Sequence, residues 1–191
     1  MPRVSASGRA SPSWAQLYEV AAAQGGYFTS KQAGAIGYSP ALLQYYRRQE
    51  RVESWRRGIF RIVHFPVTDH EDLVPLWLWT DQKGVFSHET ALVLYDLSDA
   101  LPAKKHLTLP EAWRKRRLRV PDGTMLHYGD LSTDEMTWMG PVPVTTVLRT
   151  IFDCTREGAG SDLVRQAISQ SVSRGLLTRE DVKALTRAKI R

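Results

Sequence analysis

The sequence predicts an α+β fold in two domains, and three observations support this prediction. Three short helical patterns followed by an extended hairpin occupy the first third of the 191 residues. The segment PVTDH (66–70) then interrupts the apolar pattern with proline and polar residues, which is typical of a linker. Beyond it, helical and extended segments are mixed. We therefore expect a flexible tail at residues 1–13, a first domain at 14–65 and an α+β domain at 70–191.

Composition places the chain among folded proteins without a membrane span. Hydrophobic residues make up 42% of the sequence and charged residues 24%, which is enough to build a core. The lone Cys154 cannot form an intramolecular disulfide. The longest compact apolar run, LVPLWLW (73–79), is far shorter than the roughly 20 residues of a transmembrane helix. The tail lacks the apolar run of a secretory signal, so we expect a cytoplasmic protein, with an organellar transit peptide as the alternative.

The excess positive charge is confined to the first third of the chain. Residues 1–65 contain nine basic and three acidic side chains, whereas residues 66–191 contain 17 of each. The net charge of +6 therefore belongs entirely to the first segment. This asymmetry favours a polyanionic partner for the first domain, and the alternative is a solvated basic face without a partner.

Two helices are predicted in the N-terminal segment. SWAQLYEVAAAQGG begins with Ser13 as a helix N-cap, has apolar residues at helical spacing, and ends at a pair of glycines. TSKQAGAIG gives a short second helix that starts at Thr29 or Ser30. Gly37 follows it, at a point where a tight turn between two helices requires a positive φ angle.

A third helix is predicted directly after that turn. Ser39 caps it, and Pro40 occupies its first helical position, where a missing N–H is tolerated. Leu42 or Leu43, together with Tyr46, forms the stripe that faces the core. The outer face is left with polar, small and basic side chains, namely Pro40, Ala41, Gln44, Tyr45, Arg47 and Arg48.

A basic hairpin completes the pattern of a winged helix-turn-helix. ESWRRGIFRIVHF reads as two extended pieces joined at a turn of two arginines and a glycine. In such a domain the third helix enters the major groove of DNA and basic side chains reach phosphates. Gln44 suits an adenine edge, and Tyr45 suits either a base or a phosphate. The predicted DNA contacts are Ser30, Lys31, Ser39, Pro40, Gln44, Tyr45, Arg47, Arg48, Arg56, Arg57 and Arg61. The alternative is an ordinary helical hairpin with a polar outer face.

The second domain is predicted as a mixture of helices and strands. EDLVPLWLWT is helical, and GVFSHETALVLYDLS is a short extended lead followed by a helix that Ser87 caps. KHLTLP and RLRVPDGTMLHYG are strands, the latter a pair joined by a Pro-Asp-Gly turn. VPVTTVLRTIFDCTRE leads from a strand into a helix, and SDLVRQAISQSVSRG and TREDVKALTRAK give two more helices.

The sequence predicts no catalytic site, no metal site and no cofactor. SHET (87–90) sets a serine, a histidine and an acid side by side, but neighbours on a helix point in different directions, so a helix N-cap explains it. The five histidines show none of the close pairings of a metal site. Asp153 has no partner acid or base in the pattern, and Cys154 lies among apolar residues as part of the core. We therefore expect no enzymatic activity.

One basic cluster remains in the second domain, WRKRRLRV (113–120), which includes Arg114 to Arg119. It is open to two interpretations. The first is a second contact to nucleic acid. The second is a solvated strand edge that its charges protect from pairing, since the surrounding region has no net charge.

These segments, in this order, resemble those of the AbiEi-type antitoxins. GGYFTSKQAGAIGYSPALLQYYRRQERVESWRRGIFRI is similar to their N-terminal winged-helix domain: a short helix, a glycine turn, a recognition helix and an Arg-Gly-aromatic hairpin. GVFSHETALVLYDLSDALPAKKHLTLP and GPVPVTTVLRTIFDC resemble landmarks of their second domain. These landmarks are a Ser-His-x-x-Ala-x-x-x-x-x-Leu helix, an L-T-L-P strand and a P-V-T-x-x-x-R-T-x-x-D segment. The resemblance covers the chain from about residue 14 onward.

The resemblance implies an antitoxin and transcriptional repressor that catalyses no reaction. Such proteins bind repeats in their own promoter, as double-stranded DNA, and counteract a nucleotidyltransferase toxin of the AbiEii type. By matching position, the helix from Ser39 to Arg48 and the hairpin residues Arg56, Arg57 and Arg61 carry DNA binding, and the second domain carries neutralisation.

Two further expectations accompany this resemblance. Related chains sometimes carry a C-terminal nuclease-like domain, but the acid-and-lysine constellation of such a domain is missing from this sequence, so we expect no nuclease activity. The alternative function is a protein-interaction antitoxin that neutralises a toxin by direct contact without binding DNA.

Overall fold

The structure, a computed structural model, describes residues 11–188 and confirms the α+β class. The chain divides into two compact units, of which the first ends at Trp79 and the second begins at Thr80. Most of the tail predicted at residues 1–13, including Arg3 and Arg9, lies outside the described residues. No helix among residues 11–188 is long and apolar enough to cross a bilayer.

The first unit contains three helices, a three-stranded sheet and a fourth helix that follows the sheet. The elements are α1 (Trp14–Ala22), β1 (Tyr27–Thr29), α2 (Ser30–Ala35), α3 (Pro40–Arg48), β2 (Val52–Arg56), β3 (Ile59–Ile62) and α4 (Val74–Trp79). The sheet is antiparallel, in the order β1-β3-β2. This element order and sheet order fit the predicted winged helix-turn-helix, with β1 as a strand that the sequence did not predict.

Side-chain caps determine where the first three helices begin. Ser13 and Ser39 cap α1 and α3, each hydroxyl accepting a hydrogen bond from the backbone N–H three residues on. Thr29 and Gln32 form a reciprocal capping box at the start of α2. Gly37 has a φ angle of 91° in the turn between α2 and α3. The predicted starts of these helices are therefore confirmed.

The core of the first unit lies between its helices and its sheet. Leu43 is buried and confirms the inward stripe predicted for α3, with Leu42 and Tyr46 partly buried beside it. Phe28 of β1 stacks on Phe60 of β3, with 5.6 Å between ring centroids. The buried cluster consists of Leu17, Ala21, Phe28, Ala33, Tyr38, Leu43, Val52, Phe60 and Ile62.

The first unit extends beyond residue 65, where the sequence predicted the first domain to end. Helix α4 packs on β1 and β3, and its residues 74–78 are buried. The side chain of Arg61 reaches Glu71, with 3.0 Å between Nη2 and Oε2. The segment predicted as an interdomain linker therefore connects the sheet to a helix of the same unit, because α4 buries its apolar side chains on that sheet.

The second unit is built on a five-stranded mixed sheet. Its elements are β4 (Val85–Phe86), α5 (His88–Leu94), β5 (Lys105–Leu109), β6 (Thr124–Tyr128), β7 (Met136–Met139), β8 (Val142–Thr145), α6 (Val147–Arg156), α7 (Ser161–Ser173) and α8 (Arg179–Ala188). The strand order is β6-β5-β4-β8-β7, in which β5 pairs with β6 and β4 with β8 in parallel. The helices share a core of Leu92, Leu97, Val147, Ile151, Cys154, Ala167, Leu177 and Leu185.

Two local predictions for this unit need correction. RLRV, predicted as a strand, has no regular structure, and β6 pairs in parallel with β5 instead. A parallel pair needs a connection that returns to the other end of the sheet, and this segment is part of that connection. Ser87 occupies the N-cap position of α5, but its hydroxyl makes no capping hydrogen bond and instead accepts one from the Thr108 hydroxyl at 2.8 Å.

Candidate nucleic-acid interface and a histidine cluster

The outer face of α3 exposes the side chains that the helical pattern turned outward. Leu43 is buried, whereas Tyr45 exposes 55% of its surface. This difference follows from the 3.6-residue period, which turns neighbouring positions to different faces. The exposed set on this helix is Pro40, Ala41, Gln44, Tyr45, Arg47 and Arg48. The orientation predicted for α3 is therefore confirmed.

A groove lies between α2, α3 and the turn that joins β2 to β3. Its cavity volume is about 1120 Å³. The backbone N–H of Ser30 donates to the carbonyl oxygen of Gly58 at 2.8 Å, which joins the start of α2 to the hairpin turn. Six of the predicted contact residues line this groove, namely Ser30, Lys31, Ser39, Pro40, Gln44 and Arg57. The structure thus brings hydroxyl, amide and cationic groups together around one concave surface.

Gln44 is engaged by its neighbour on α3. Arg47 donates from Nη1 to the side-chain oxygen of Gln44 at 3.0 Å. An adenine edge requires both the oxygen and the amide nitrogen of a glutamine. Arg47 must therefore release this oxygen before Gln44 can read a base.

The hairpin turn presents its two arginines differently. Arg57 is exposed at the turn, whereas Arg56 is half-buried at the end of β2. The pairing register of β2 with β3 shifts between Ser54 and Arg56, and the Ser54 hydroxyl donates to the Arg56 carbonyl oxygen at 3.1 Å. Such a bulge bends the strand and re-aims its side chains.

Arg61 does not line this groove, and its contacts within the first unit argue against the DNA contact predicted for it. Its side chain is 14% exposed and lies 3.0 Å from Glu71 and 3.8 Å from Glu53. It also donates to the carbonyl oxygen of Phe65 at 3.1 Å. Arg61 lies in β3, the central strand of the sheet. The carboxylates of Glu53 and Glu71 offset its positive charge within the first unit.

Three histidines that are distant in sequence meet in the second unit. His88 begins α5, His106 lies in β5 and His127 lies in β6. His127 stands opposite Thr108, two residues beyond His106, so both strands present their histidines on the same face. Ring centroids are 3.7 Å apart for His88 and His127 and 5.1 Å apart for His106 and His127. The sequence analysis found no close pairing of histidines along the chain, and the fold nevertheless brings these three together.

Hydrogen bonds fix the orientation of these rings. Nδ1 of His106 lies 2.9 Å from Nε2 of His127, and Nδ1 of His127 lies 2.8 Å from Oε2 of Glu157. Nδ1 of His88 lies 2.9 Å from the hydroxyl of Ser87. Nε2 of His88 is buried and has no hydrogen-bond partner among the described residues. We call these three rings and Glu157 the histidine cluster.

Burial disfavours the charged form of all three imidazoles. Burial lowers the pKa of His88 to about 3, and the neighbouring His127 and His106 act in the same direction. Burial also lowers the pKa of His106, and it lowers the pKa of His127 although Glu157 acts in the opposite direction. The contact between His127 and Glu157 joins Nδ1 of the ring to one carboxylate oxygen at 2.8 Å.

The sequence held only a partial signal for this cluster. His106 and His127 are 21 positions apart, and both fall in segments predicted as strands. Short-range motifs cannot reveal such a site, because the parallel pairing of β5 with β6 brings these two rings together. The signal that was present is one histidine in each of three predicted elements of the second domain.

Asp153, for which the sequence offered no partner, is paired with an arginine. Arg149 donates from Nε to both carboxylate oxygens of Asp153 at 3.0 Å and from Nη1 to Glu135 at 2.7 Å. The hydroxyls of Thr145 and Thr150 lie 2.7 Å apart at the junction of β8 with α6. The P-V-T-x-x-x-R-T-x-x-D segment therefore supplies a polar network that joins a strand to a helix.

The structure contradicts one of the two interpretations offered for the basic segment at 113–120, because these residues form no strand, and the contact to nucleic acid stays a prediction. Residues 114–117 are exposed, and Arg114 forms an ion pair with Glu111. The guanidinium of Arg116 lies 4.1 Å from the ring centroid of Trp113. No strand edge is present here, so any protective role of these charges would apply to a loop.

Comparisons with known proteins address the first unit most directly. Residues 15–63 match the family model described as a transcriptional regulator, AbiEi antitoxin, and the predicted resemblance is confirmed for that segment. The chain also resembles the crystal structure of the RV2827C protein from Mycobacterium tuberculosis, with a TM-score of 0.55 and 14% sequence identity. That likeness covers 90% of this chain and 70% of that one, and at such identity it shows a shared fold. No curated protein sequence matches the chain significantly.

Proposed function

We propose that this chain is an AbiEi-type antitoxin that binds its own promoter as an autorepressor and counteracts a nucleotidyltransferase toxin of the AbiEii type. The observation that carries the DNA-binding part is the groove between α2, α3 and the hairpin turn. This groove lies within the segment that matches the model of a family of transcriptional regulators, not of enzymes. The first unit binds double-stranded DNA, and the second acts on the toxin.

In this proposal the N-terminal half of α3 enters the major groove. Ser39, Pro40 and Ala41 are small and exposed, so the helix can approach base edges closely. Gln44 then pairs with an adenine after Arg47 turns from its amide oxygen to a phosphate. Tyr45 is exposed beside them and contacts a base or a phosphate.

Five basic side chains supply the phosphate contacts, namely Lys31, Arg47, Arg48, Arg56 and Arg57. Arg61 is left out because two carboxylates already pair with it. Five such contacts predict that log K falls against log salt with a slope of about −4.5. Phosphate contacts fix the register of the protein on the duplex, and base contacts select the sequence.

The test is an anisotropy titration of the full chain on its own upstream DNA and on shuffled DNA at several salt concentrations. We expect preferential binding to the upstream DNA with the slope given above. The variant Arg56→Ala/Arg57→Ala weakens binding to both DNAs alike and reduces the slope to about −2.7. The matched control is Arg165→Ala/Arg179→Ala, which removes the same charge from exposed positions of the second unit.

Gln44→Ala separates sequence reading from electrostatic attraction. We expect it to relax the base preference at one or two positions of the operator while the salt slope stays near the wild-type value. An affinity that does not change with salt contradicts the phosphate contacts. Equal loss of binding in the control variant contradicts their location.

Neutralisation is tested by co-expressing the chain with an AbiEii-type nucleotidyltransferase and measuring growth. We expect rescue by the full chain and by the R56A/R57A variant, because we assign neutralisation to the second unit. Rescue without any preference of the full chain for its upstream DNA would favour the protein-interaction antitoxin. Loss of rescue in the R56A/R57A variant contradicts the division of roles.

A further inference from the structure

We propose that His88, His106 and His127 form a binding site for a transition-metal ion of the Zn²⁺ class in the second unit. This site is separate from the proposed DNA contacts, which all belong to the first unit. One ring nitrogen of each histidine lies within 4.8 Å of the other two. Imidazole nitrogens are ligands that Zn²⁺, Ni²⁺ and Cu²⁺ prefer, whereas Mg²⁺ and Ca²⁺ prefer oxygen.

The spacing of one pair of nitrogens is close to what a tetrahedral ion requires. Zn–N bonds of 2.0–2.1 Å place two ligand nitrogens about 3.4 Å apart. Nδ1 of His106 and Nε2 of His127 are 2.9 Å apart and share a hydrogen bond. An ion can take the place of the proton between these two nitrogens. The ring of His88 stacks on that of His127 with 15° between their planes, so His88 must turn out of this stack for its nitrogen to reach the same ion.

His88 gives a second, independent indication of a ligand. Its side chain is 6% exposed, and its Nε2 has no hydrogen-bond partner among the described residues. Buried polar atoms are nearly always paired, so a buried nitrogen without a partner requires an explanation. The φ angle of His88 is 52°, which a residue with a side chain adopts at a cost and which is common at functional sites. A metal ion bound by this nitrogen would supply the missing partner.

Glu157 orients the cluster for this role. Its Oε2 accepts from Nδ1 of His127 at 2.8 Å, which leaves the lone pair of that ring on Nε2, directed toward His106. A carboxylate that holds the outer nitrogen of a ligand histidine is the usual support of a zinc site. The other oxygen of Glu157 lies 3.5 Å from Nε2 of His88. The fourth ligand of a tetrahedral ion would then be a water molecule.

The charges around the cluster permit a cation. Arg149 and Arg156 lie near enough to act on His88, and both would repel an ion. The charge of Arg149 is offset by its ion pairs with Asp153 and Glu135. Glu157 lies beside the ring nitrogens of His127 and His88, and its carboxylate supplies a negative charge at the site.

The experiment uses the full chain without an affinity tag, freed of metal with a chelator. Zn²⁺ is added in equilibrium dialysis and the bound metal is measured by mass spectrometry, while Co²⁺ reports coordination through its visible absorption. We expect one Zn²⁺ per chain, a rise in Tm when it binds, and four-coordinate Co²⁺ bands. Excess Mg²⁺ does not displace the ion.

Three variants locate the site. His106→Asn/His127→Gln should reduce Zn²⁺ affinity at least 100-fold and abolish the Co²⁺ bands. Glu157→Gln, at an exposed position, should weaken Zn²⁺ about 10–100-fold. His64→Asn is the control, because His64 is exposed in the first unit and also has a positive φ, which asparagine tolerates.

The outcomes are decisive in both directions. The proposal is overturned if the wild-type chain binds no Zn²⁺, or if the double variant binds it as tightly as the His64→Asn control does. If circular dichroism shows that the double variant does not fold, Glu157→Gln decides instead, and unchanged Zn²⁺ affinity in that variant overturns the site. Displacement of Zn²⁺ by Mg²⁺ contradicts ligation by imidazole.

Discussion

The thiol of Cys154 is expected to be inert in the folded protein. Its side chain is 1% exposed, and burial raises its pKa to about 12, with Glu89, Asp153 and Glu157 acting in the same direction. Only the thiolate reacts with thiol reagents. We predict that a colorimetric thiol reagent at neutral pH labels no cysteine in the native chain and one per chain in denaturant. Equal labelling rates in both conditions contradict this burial.

Leu43 is expected to be the side chain of α3 on which stability depends most. It is 3% exposed and packs in the core of the first unit. Leu43→Ala should lower the free energy of unfolding by about 2–5 kcal/mol, because it removes buried methyl groups and leaves a cavity. Leu42→Ala, at the half-buried neighbouring position, is the control and should lose clearly less in a urea titration. If both variants lose the same free energy of unfolding, the core-facing side of α3 is not centred on Leu43.

At the residue scale, the sequence predicts well which side chains face outward. It predicts less well which residues those side chains contact. The outward positions of α3 follow from helical periodicity, and Gln44 and Tyr45 are exposed as expected. Arg61 was grouped with Arg56 and Arg57 because all three are basic and close in sequence. Its ion pair with Glu71 forms because the segment leading into α4 lies against the sheet. A local sequence pattern cannot predict such a contact between distant positions.

At the element scale, Glu135 connects the turn before β7 to helix α6. Its carboxylate accepts from the backbone N–H of Ser132 at 3.0 Å and from Arg149 at 2.7 Å. The Ser132 N–H and, to a smaller degree, Arg149 lower its pKa below the ordinary value. A carboxyl whose pKa is lower in the folded state stabilises the protein above its unfolded-state pKa. This stabilisation is lost as the pH falls through the folded-state pKa.

We therefore predict that Glu135→Gln flattens the acid limb of the stability curve. In the wild-type chain the free energy of unfolding should fall between about pH 5 and pH 3, and the variant should lose part of this slope. Glu19→Gln removes the same charge from an exposed position of α1 and is the control. Parallel curves for wild type and Glu135→Gln, in urea titrations across this range, contradict the role of this carboxylate.

The elements that the sequence predicted are those whose signals are local. Helix α3 has its own cap and its own proline, so its start could be predicted without knowledge of the fold. Strand β1 has only three residues, and its conformation is set by pairing with β3, about thirty positions later. The strand predicted at RLRV failed for the same reason, because β6 takes its partner from β5 and not from the adjacent segment.

At the scale of the whole molecule, the first unit should be stable by itself when it includes α4. We predict that a fragment of residues 1–79 unfolds cooperatively and that one of residues 1–65 has a lower Tm. The shorter fragment leaves Arg61 without Glu71 and exposes the sheet surface that α4 covers. Thermal melts followed by circular dichroism compare the two. If the two fragments have the same Tm, the first domain ends at residue 65, as the sequence predicted.

The hydrogen bond from Ser30 to Gly58 has a consequence for how quickly the proposed DNA complex forms. It joins the hairpin turn to the start of α2, so Arg57 and Lys31 are carried by one body before any ligand arrives. Little conformational freedom then remains to be lost on association, and the encounter is limited by diffusion and electrostatic steering. The same hydrogen bond fixes the distance between α3, which is proposed to enter the DNA major groove, and the hairpin turn, which is proposed to contact phosphates. If one base pair is inserted between the bases contacted by α3 and the phosphates contacted by the hairpin turn, the protein cannot adjust this distance. We therefore expect the complex to lose either the base contacts or the phosphate contacts.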